Sequence, residues 1–129
     1  MSRGEPPRPT KADVAAAAGR TIADVLAPGL RIVFVGINPG LYSGATGRHF
    51  ARPGNRFWKA LHAGGLTPRV LRPDEERELL ELGLGITNIV ARSTAAASEL
   101  STDELRTGAR ALERKLRRAK PAFLSLIHI

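Results

Sequence analysis

No cysteine stands among the 129 residues. That excludes disulfides, a thiol nucleophile, Cys-ligated zinc and a cysteine-held iron–sulfur cluster, and it fits a reducing cytoplasm. Long apolar runs are missing too: none approaches the roughly 20 residues a membrane helix needs. Pro6, Pro7 and Pro9 occupy the stretch where a signal peptide would be apolar. The expectation is a soluble, unexported, cytoplasmic chain. Aromatics are few, with four Phe, one Tyr and one Trp. Acid is absent locally, since residues 31–70 contain neither Asp nor Glu.

What is present is unevenly placed. Twenty Lys+Arg against twelve Asp+Glu give a net charge of +8, and residues 31–70 supply six of those charges through Arg31, Arg48, Arg52, Arg56, Lys59 and Arg69. The same forty residues hold Phe34, Tyr42, Phe50, Phe57 and Trp58, and two of the three histidines. Positive charge and stacking surface coincide, which points to an anionic ligand. The length makes one domain the default, with roughly two-thirds of the unfolded chain's surface removed from water. An apolar content of 43% with 25% charged residues is ordinary for a globular chain and argues against disorder.

Residues 1–9 read as a loose, dispensable Pro- and Arg-rich tail ahead of a single domain over 10–129. Thr10 is a candidate N-cap for a helix through about Leu26, with Val14, Ala18, Ile22 and Val25 as its apolar stripe and Pro28-Gly29 as its stop. Arg31 to Val35 is a short β-branched strand of the kind buried on both faces. From Gly36 to Gly54, glycine and proline interrupt every period, so a long functional loop is expected there. Asn55 caps a helix carrying Phe57, Trp58 and Leu61 and ending at Gly64-Gly65. Pro73 opens another helix, ending near Gly83, whose acidic run Asp74-Glu75-Glu76 reads as a solvated face.

Gly85 to Val90 is a second strand. Ser101-x-x-Glu104 is a capping box for a helix with Leu105, Ala109, Leu112 and Leu116 inward, and with Arg114, Lys115, Arg117, Arg118 and Lys120 as a solvated face. Pro121 ends that helix before a third apolar strand over 122–127. The alternation is that of an α/β fold with parallel strands and right-handed crossovers. The third strand is then either a sheet edge or the sign of an incomplete domain.

In such folds the ligand lies beyond the carboxyl ends of the strands, where the 36–54 loop must sit. Gly36-Ile37-Asn38-Pro39-Gly40 sets one polar side chain among residues that let a ligand approach the backbone. Neither a phosphate-binding Gly-rich loop ending in Lys-Ser/Thr nor Gly-x-Gly-x-x-Gly follows the first strand, which disfavours a nucleotide hydrolase.

Gly36-Ile37-Asn38-Pro39-Gly40-Leu41, followed by the run from Gly47-Arg48-His49-Phe50 to Asn55-Arg56-Phe57-Trp58-Lys59, resembles the first active-site motif of the mismatch-specific uracil/thymine DNA glycosylases. Gly85-Ile86-Thr87-Asn88-Ile89-Val90 resembles their second strand and the turn after it. The resemblance runs from about Ile22 to about Phe123. It implies a three-layer α/β/α fold with a short parallel central sheet, and monofunctional hydrolysis of the glycosidic bond of uracil, or of thymine opposite guanine, initiating base-excision repair. It implies a monomer acting on double-stranded DNA with G·U or G·T mismatches, associated with the nucleoid through that DNA, without metal or cofactor.

Residue by residue, Asn38 matches the catalytic asparagine that holds a water, and Phe50 the ring on which a flipped base stacks. Backbone N–H groups around Ile37, Gly40 and Phe50 are the donors for the departing base. Ser43 and His49 match pocket-lining positions, and Asn88 a turn position occupied by Lys or Asn. Arg48, Arg52, Arg56 and Lys59 are the cations for backbone phosphates. His62 reads as structural and Asn55 as a helix cap. No Lys lies in residues 31–58 to form a Schiff base, in keeping with a monofunctional mechanism.

The departure is at the C-terminus. Relatives continue past the third strand to a second motif whose loop fills the space of the flipped base, whereas this sequence ends Leu126-Ile127-His128-Ile129. A truncated domain is expected, with the final residues as candidates for a non-native end. Two other readings stay open: a non-catalytic DNA-binding module, and a basic domain for a small anion or nucleotide.

Overall fold

The computed structural model describes residues 4–127. In chain order the elements are α1 (Lys11–Ala15), β1 (Ile32–Gly36), α2 (Leu41–Thr46), α3 (Arg56–Ala63), a 3-10 segment (Pro73–Leu82), β2 (Leu84–Asn88), a short 3-10 turn (Ala97–Glu99), α4 (Thr102–Ala119) and β3 (Phe123–Leu126). The strands form one parallel sheet in the order β2-β1-β3, with Val33 of β1 opposite Gly85 and Leu124.

The continuous apolar run of β1 is explained by what lies on its two sides. Phe34 faces Phe57, Trp58 and Leu61 of α3 together with Leu71 and Leu79. Val33 and Val35 face the opposite way, against Leu30 and the α4 residues Leu112 and Leu116. Each such buried side chain contributes about 1.5–3 kcal/mol, so the central strand anchors both layers. The result is a three-layer α/β/α arrangement. Strand β3 is an edge, with Phe123 at 69%, Leu124 at 51% and Leu126 at 79% exposure. The expectation for His128 and Ile129 lies outside the described residues.

Three expectations are corrected. The helix expected from Thr10 to Leu26 stops at Ala15, although its capping box between Thr10 and Asp13 is present. Gly19 takes a left-handed φ of 82°, its N–H donates to Ser93 O, and Val25 exchanges both backbone bonds with Ile86. Val25 thus bridges the outer edge of β2 antiparallel, Thr21 bridges Arg92 beyond it, and the burial of Ile22 and Val25 accompanies this pairing. Ile22 and Val25 are buried as anticipated, whereas Ala18 is exposed and Ala17 is buried.

Second, the 36–54 loop contains the six-residue helix α2. Pro39 and Gly40 precede the helix and Gly47 ends it in a left-handed C-cap, while Gly44 is accommodated within it, where a Cβ would meet Ser93. Third, the acidic run after Pro73 is not a solvated face. Glu75 and Glu78 hold Arg69 at 2.7 and 3.2 Å, Asp74 holds Arg72 at 3.1 Å, and Glu76 is buried. The basic face of α4 is solvated as expected at Arg114, Arg117, Arg118 and Lys120, and Lys115 alone turns inward, donating to Asp24 at 2.7 Å.

Candidate active site

Strand β1 delivers Gly36, Ile37 and Asn38 to its carboxyl end, where the chain turns through Pro39-Gly40 into α2. Beside this turn is an open cavity of about 480 Å³ lined by Asn38, Gly40, Tyr42, Ser43, His49, Phe50, Arg52, Asn55 and Asn88. A contiguous hollow of about 200 Å³ adds Ile37, Gly36 and Thr94. The topology therefore brings all the pocket residues expected from the sequence to one place.

Asn38 has a defined amide orientation. Its Nδ2 donates to Arg92 O at 3.0 Å and to Thr94 Oγ1 at 2.8 Å. A carbonyl can only accept, and the Thr94 hydroxyl spends its own proton on Ala96 O at 2.8 Å, so the nitrogen must be the atom facing them. Pro39 O, 3.3 Å from the same nitrogen, is a third acceptor, so both amide protons are committed to the protein, and Oδ1 is the end of this cavity-lining side chain with acceptor capacity left. Thr94 escaped the sequence reading because it sits in an undistinguished Ser/Thr/Ala loop. Its position just after β2, at the carboxyl edge of the sheet, was the available signal.

The loop carrying that threonine is itself held. Arg92 makes a two-point contact with Glu104 of α4, at 2.6 and 2.9 Å, and donates to Glu99 O at 3.3 Å. This pairing and the Ser101 cap hold the Glu104 carboxyl down at about 2.

His49 is buried at 2% exposure and is not a solvated side chain. Its Nε2 lies 2.8 Å from Ala23 O, which can only accept, so Nε2 carries the proton and Nδ1 accepts from Asn88 Nδ2 at 3.4 Å. Burial lowers its pKa, against the Ala23 bond and the charge of Asp24, so the ring is neutral at pH 7. The consequence is a second oriented amide. With Asn88 Nδ2 toward His49, its Oδ1 packs where a Cβ on Gly36 would lie at 2.6 Å, a clash that only glycine avoids.

Phe50 is both core and pocket. Its ring lies 4.2 Å from that of Phe57, tilted by 31°, and the residue lines both hollows. The backbone is left-handed, with φ of 48°, a conformation costing a non-glycine residue about 1–2 kcal/mol. Neighbouring bonds hold it there: Trp58 Nε1 donates to Phe50 O at 3.2 Å, and Ala51 N–H donates to Ser43 Oγ at 3.1 Å. Asn55 caps α3 through a bond from Phe57 N–H at 2.9 Å. His62 bonds Thr67 O at 3.0 Å, away from the cavity.

The six cations of residues 31–70 are divided by the fold. Arg69 is paired with Glu75 and Glu78, and Arg31 bonds Leu82 O beside the start of β1, at the opposite end of the strand from Asn38. Arg52, Arg56 and Lys59 are exposed, and of these Arg52 lines the cavity. Arg48 is half-exposed, 3.9 Å from Glu76. Among the described residues no three His, Asp or Glu side chains gather as a metal site would require. No described helix is long and apolar enough to cross a membrane.

A parallel α/β sheet carries an oriented asparagine at the end of β1, with an aromatic ring and Arg52 lining the same cavity. Residues 23–127 match the family described as the Uracil DNA glycosylase superfamily, so the chain belongs to that superfamily, which implies a DNA substrate and base excision of the uracil-DNA glycosylase type.

Proposed function

We propose that the chain is a monofunctional, mismatch-directed glycosylase that hydrolyses the bond between deoxyribose and uracil, or thymine, paired with guanine. The observation that carries this is the amide of Asn38, whose two N–H bonds are consumed by Arg92 O and Thr94 Oγ1. Its Oδ1 holds a water for attack on the anomeric carbon. An amide has no useful basicity, so it orients the water without deprotonating it, and turnover is modest.

The C–O bond forms as the C–N bond breaks, and the bonding pair leaves with the base as its anion, while the water's proton passes to solvent. Backbone N–H groups at Ile37, Gly40 and Phe50 stabilise that anion in the manner of an oxyanion hole. Phe50 stacks on the flipped base, and Asn88, oriented by His49, offers Oδ1 as an acceptor for the pairing edge. Ser43 lines the wall beside it. Arg48, Arg52, Arg56 and Lys59 take the phosphates, a contribution independent of sequence and sensitive to salt.

The test is a labelled duplex with a single G·U pair, incubated with protein and then treated with alkali to cleave abasic sites. A G·U-specific product over a matched G·C control is expected. Salt-sensitive binding without cleavage would instead identify a non-catalytic DNA-binding module.

A further inference from the structure

Glu76 is the one buried carboxylate among the described residues, at 3% exposure. Its neighbours Asp74, Glu75 and Glu78 bind the arginines at the surface, and Glu76 alone is enclosed. Burying a carboxylate costs free energy that an apolar side chain would not, so its contacts matter. Its Oε2 accepts from the backbone N–H of His49 at 3.4 Å, and its Oε1 lies 3.9 Å from Arg48 Nη1. Both contacts fall on the two residues that enter the left-handed turn at Phe50.

We propose that Glu76 is a positioning residue for the base pocket: its carboxylate anchors the Arg48-His49 peptide and thereby sets the turn on which Phe50 presents its ring. The link to catalysis rests on the reading of Phe50 as the stacking ring. The structural link does not.

The charged groups around Glu76 are Arg48 from the loop and Arg77 from its own segment. The His49 ring is engaged on another side, by Ala23 O, with Asp24 acting on it. Burial raises the Glu76 carboxyl to about 7, so its charge changes across the neutral range. When ionised it accepts from His49 N–H as an anion and attracts Arg48. Protonation removes both charge effects and changes how the turn is held, although it relieves the cost of burying the charge.

Trp58 is the only tryptophan, and its indole N–H is bonded to Phe50 O, so its fluorescence reports on the turn without DNA. Emission should shift between pH 5 and 9 in the wild type with a midpoint near neutral. Glu76→Gln, which keeps an accepting oxygen but cannot ionise, should show no such transition. A transition that persists in Glu76→Gln belongs to another group, His49 first, and would overturn the proposal, as would its absence from the wild type.

On G·U duplex, Glu76→Gln should lose the matching inflection in its rate profile. Glu76→Ala should excise uracil about 10-fold more slowly, with duplex affinity within about threefold of wild type. A Glu76→Ala protein with native circular dichroism and wild-type excision at every pH would also refute the role. If Glu76→Ala does not fold, the Glu76→Gln profile decides. If the wild type itself excises nothing, the glycosylase reading fails, and the fluorescence titration still decides on Glu76.

Discussion

The side-chain nitrogen of Asn38 donates to Thr94 Oγ1 at 2.8 Å, across 56 residues of sequence, and this bond determines which end of the amide faces the cavity. Thr94 passes its own proton to Ala96 O, so it can only accept from Asn38. The pairing turns a flippable side chain into a fixed acceptor.

Thr94→Val should therefore slow excision by about 10-fold, the worth of one hydrogen bond of roughly 1.4 kcal/mol, with little change in duplex affinity. Thr94→Ser should restore most of the rate. Single-turnover kinetics beside equilibrium binding separate the two quantities, and equal losses in both would point to misfolding instead.

Phe50→Ala removes the ring that a flipped base would stack on. A stack is worth about 1–3 kcal/mol, so kcat/KM should fall by about 5- to 150-fold. Phe50→Tyr should stay within a few-fold of wild type, because the face that meets the base is retained.

The cations divide by partner. Arg52→Gln and Lys59→Gln should each reduce the slope of log K against log salt by about 0.9, since each removes one phosphate contact. Arg69→Gln should leave the slope unchanged, because Arg69 is already held by Glu75 and Glu78 at 2.7 and 3.2 Å. Duplex binding titrated from 50 to 200 mM salt checks this; a slope lowered by Arg69→Gln would move the DNA face onto the 3-10 segment.

Glu76 also makes stability depend on pH. Its folded-state pKa of about 7 stands above an ordinary 4.5, so the folded chain holds this proton more tightly than the unfolded one. The stabilisation is fully present below pH 4.5 and lost as pH rises through 7, amounting to about 3 kcal/mol for that difference. Glu76→Gln should unfold at higher urea than wild type at pH 8, and the advantage should shrink toward pH 5. Glu104 works in the opposite sense: with its carboxyl near 2, its stabilisation persists above 4.5 and is lost only as pH falls through 2.

How far the sequence reached can be judged from particular residues. The β1 strand, the Asn55 cap and the Ser101-Glu104 capping box were legible because each depends on local chemistry: a β-branched run, or a side chain bonding within three residues. The positions of Asn38, Phe50 and Asn88 around one cavity were legible through motif and strand order together. Thr94 and Glu76 were not, since one bonds a residue 56 positions away and the other a backbone amide 27 positions away. The α1 error has the same origin: Ile22 and Val25 fit a helical stripe by spacing, but Val25 bridges Ile86 of β2 and Thr21 bridges Arg92, tertiary pairings that no local period reports. Net charge misled in part, because pairing with the acidic 3-10 segment cancels Arg69.

The most direct test of the account is the single-turnover rate of uracil release from a G·U duplex by wild type and by Asn38→Ala, with duplex affinity measured on the same preparations. The oriented-water mechanism predicts clear release by the wild type, a loss of about 100-fold or more in Asn38→Ala, and affinities within about threefold of each other. Release by Asn38→Ala at the wild-type rate would contradict it.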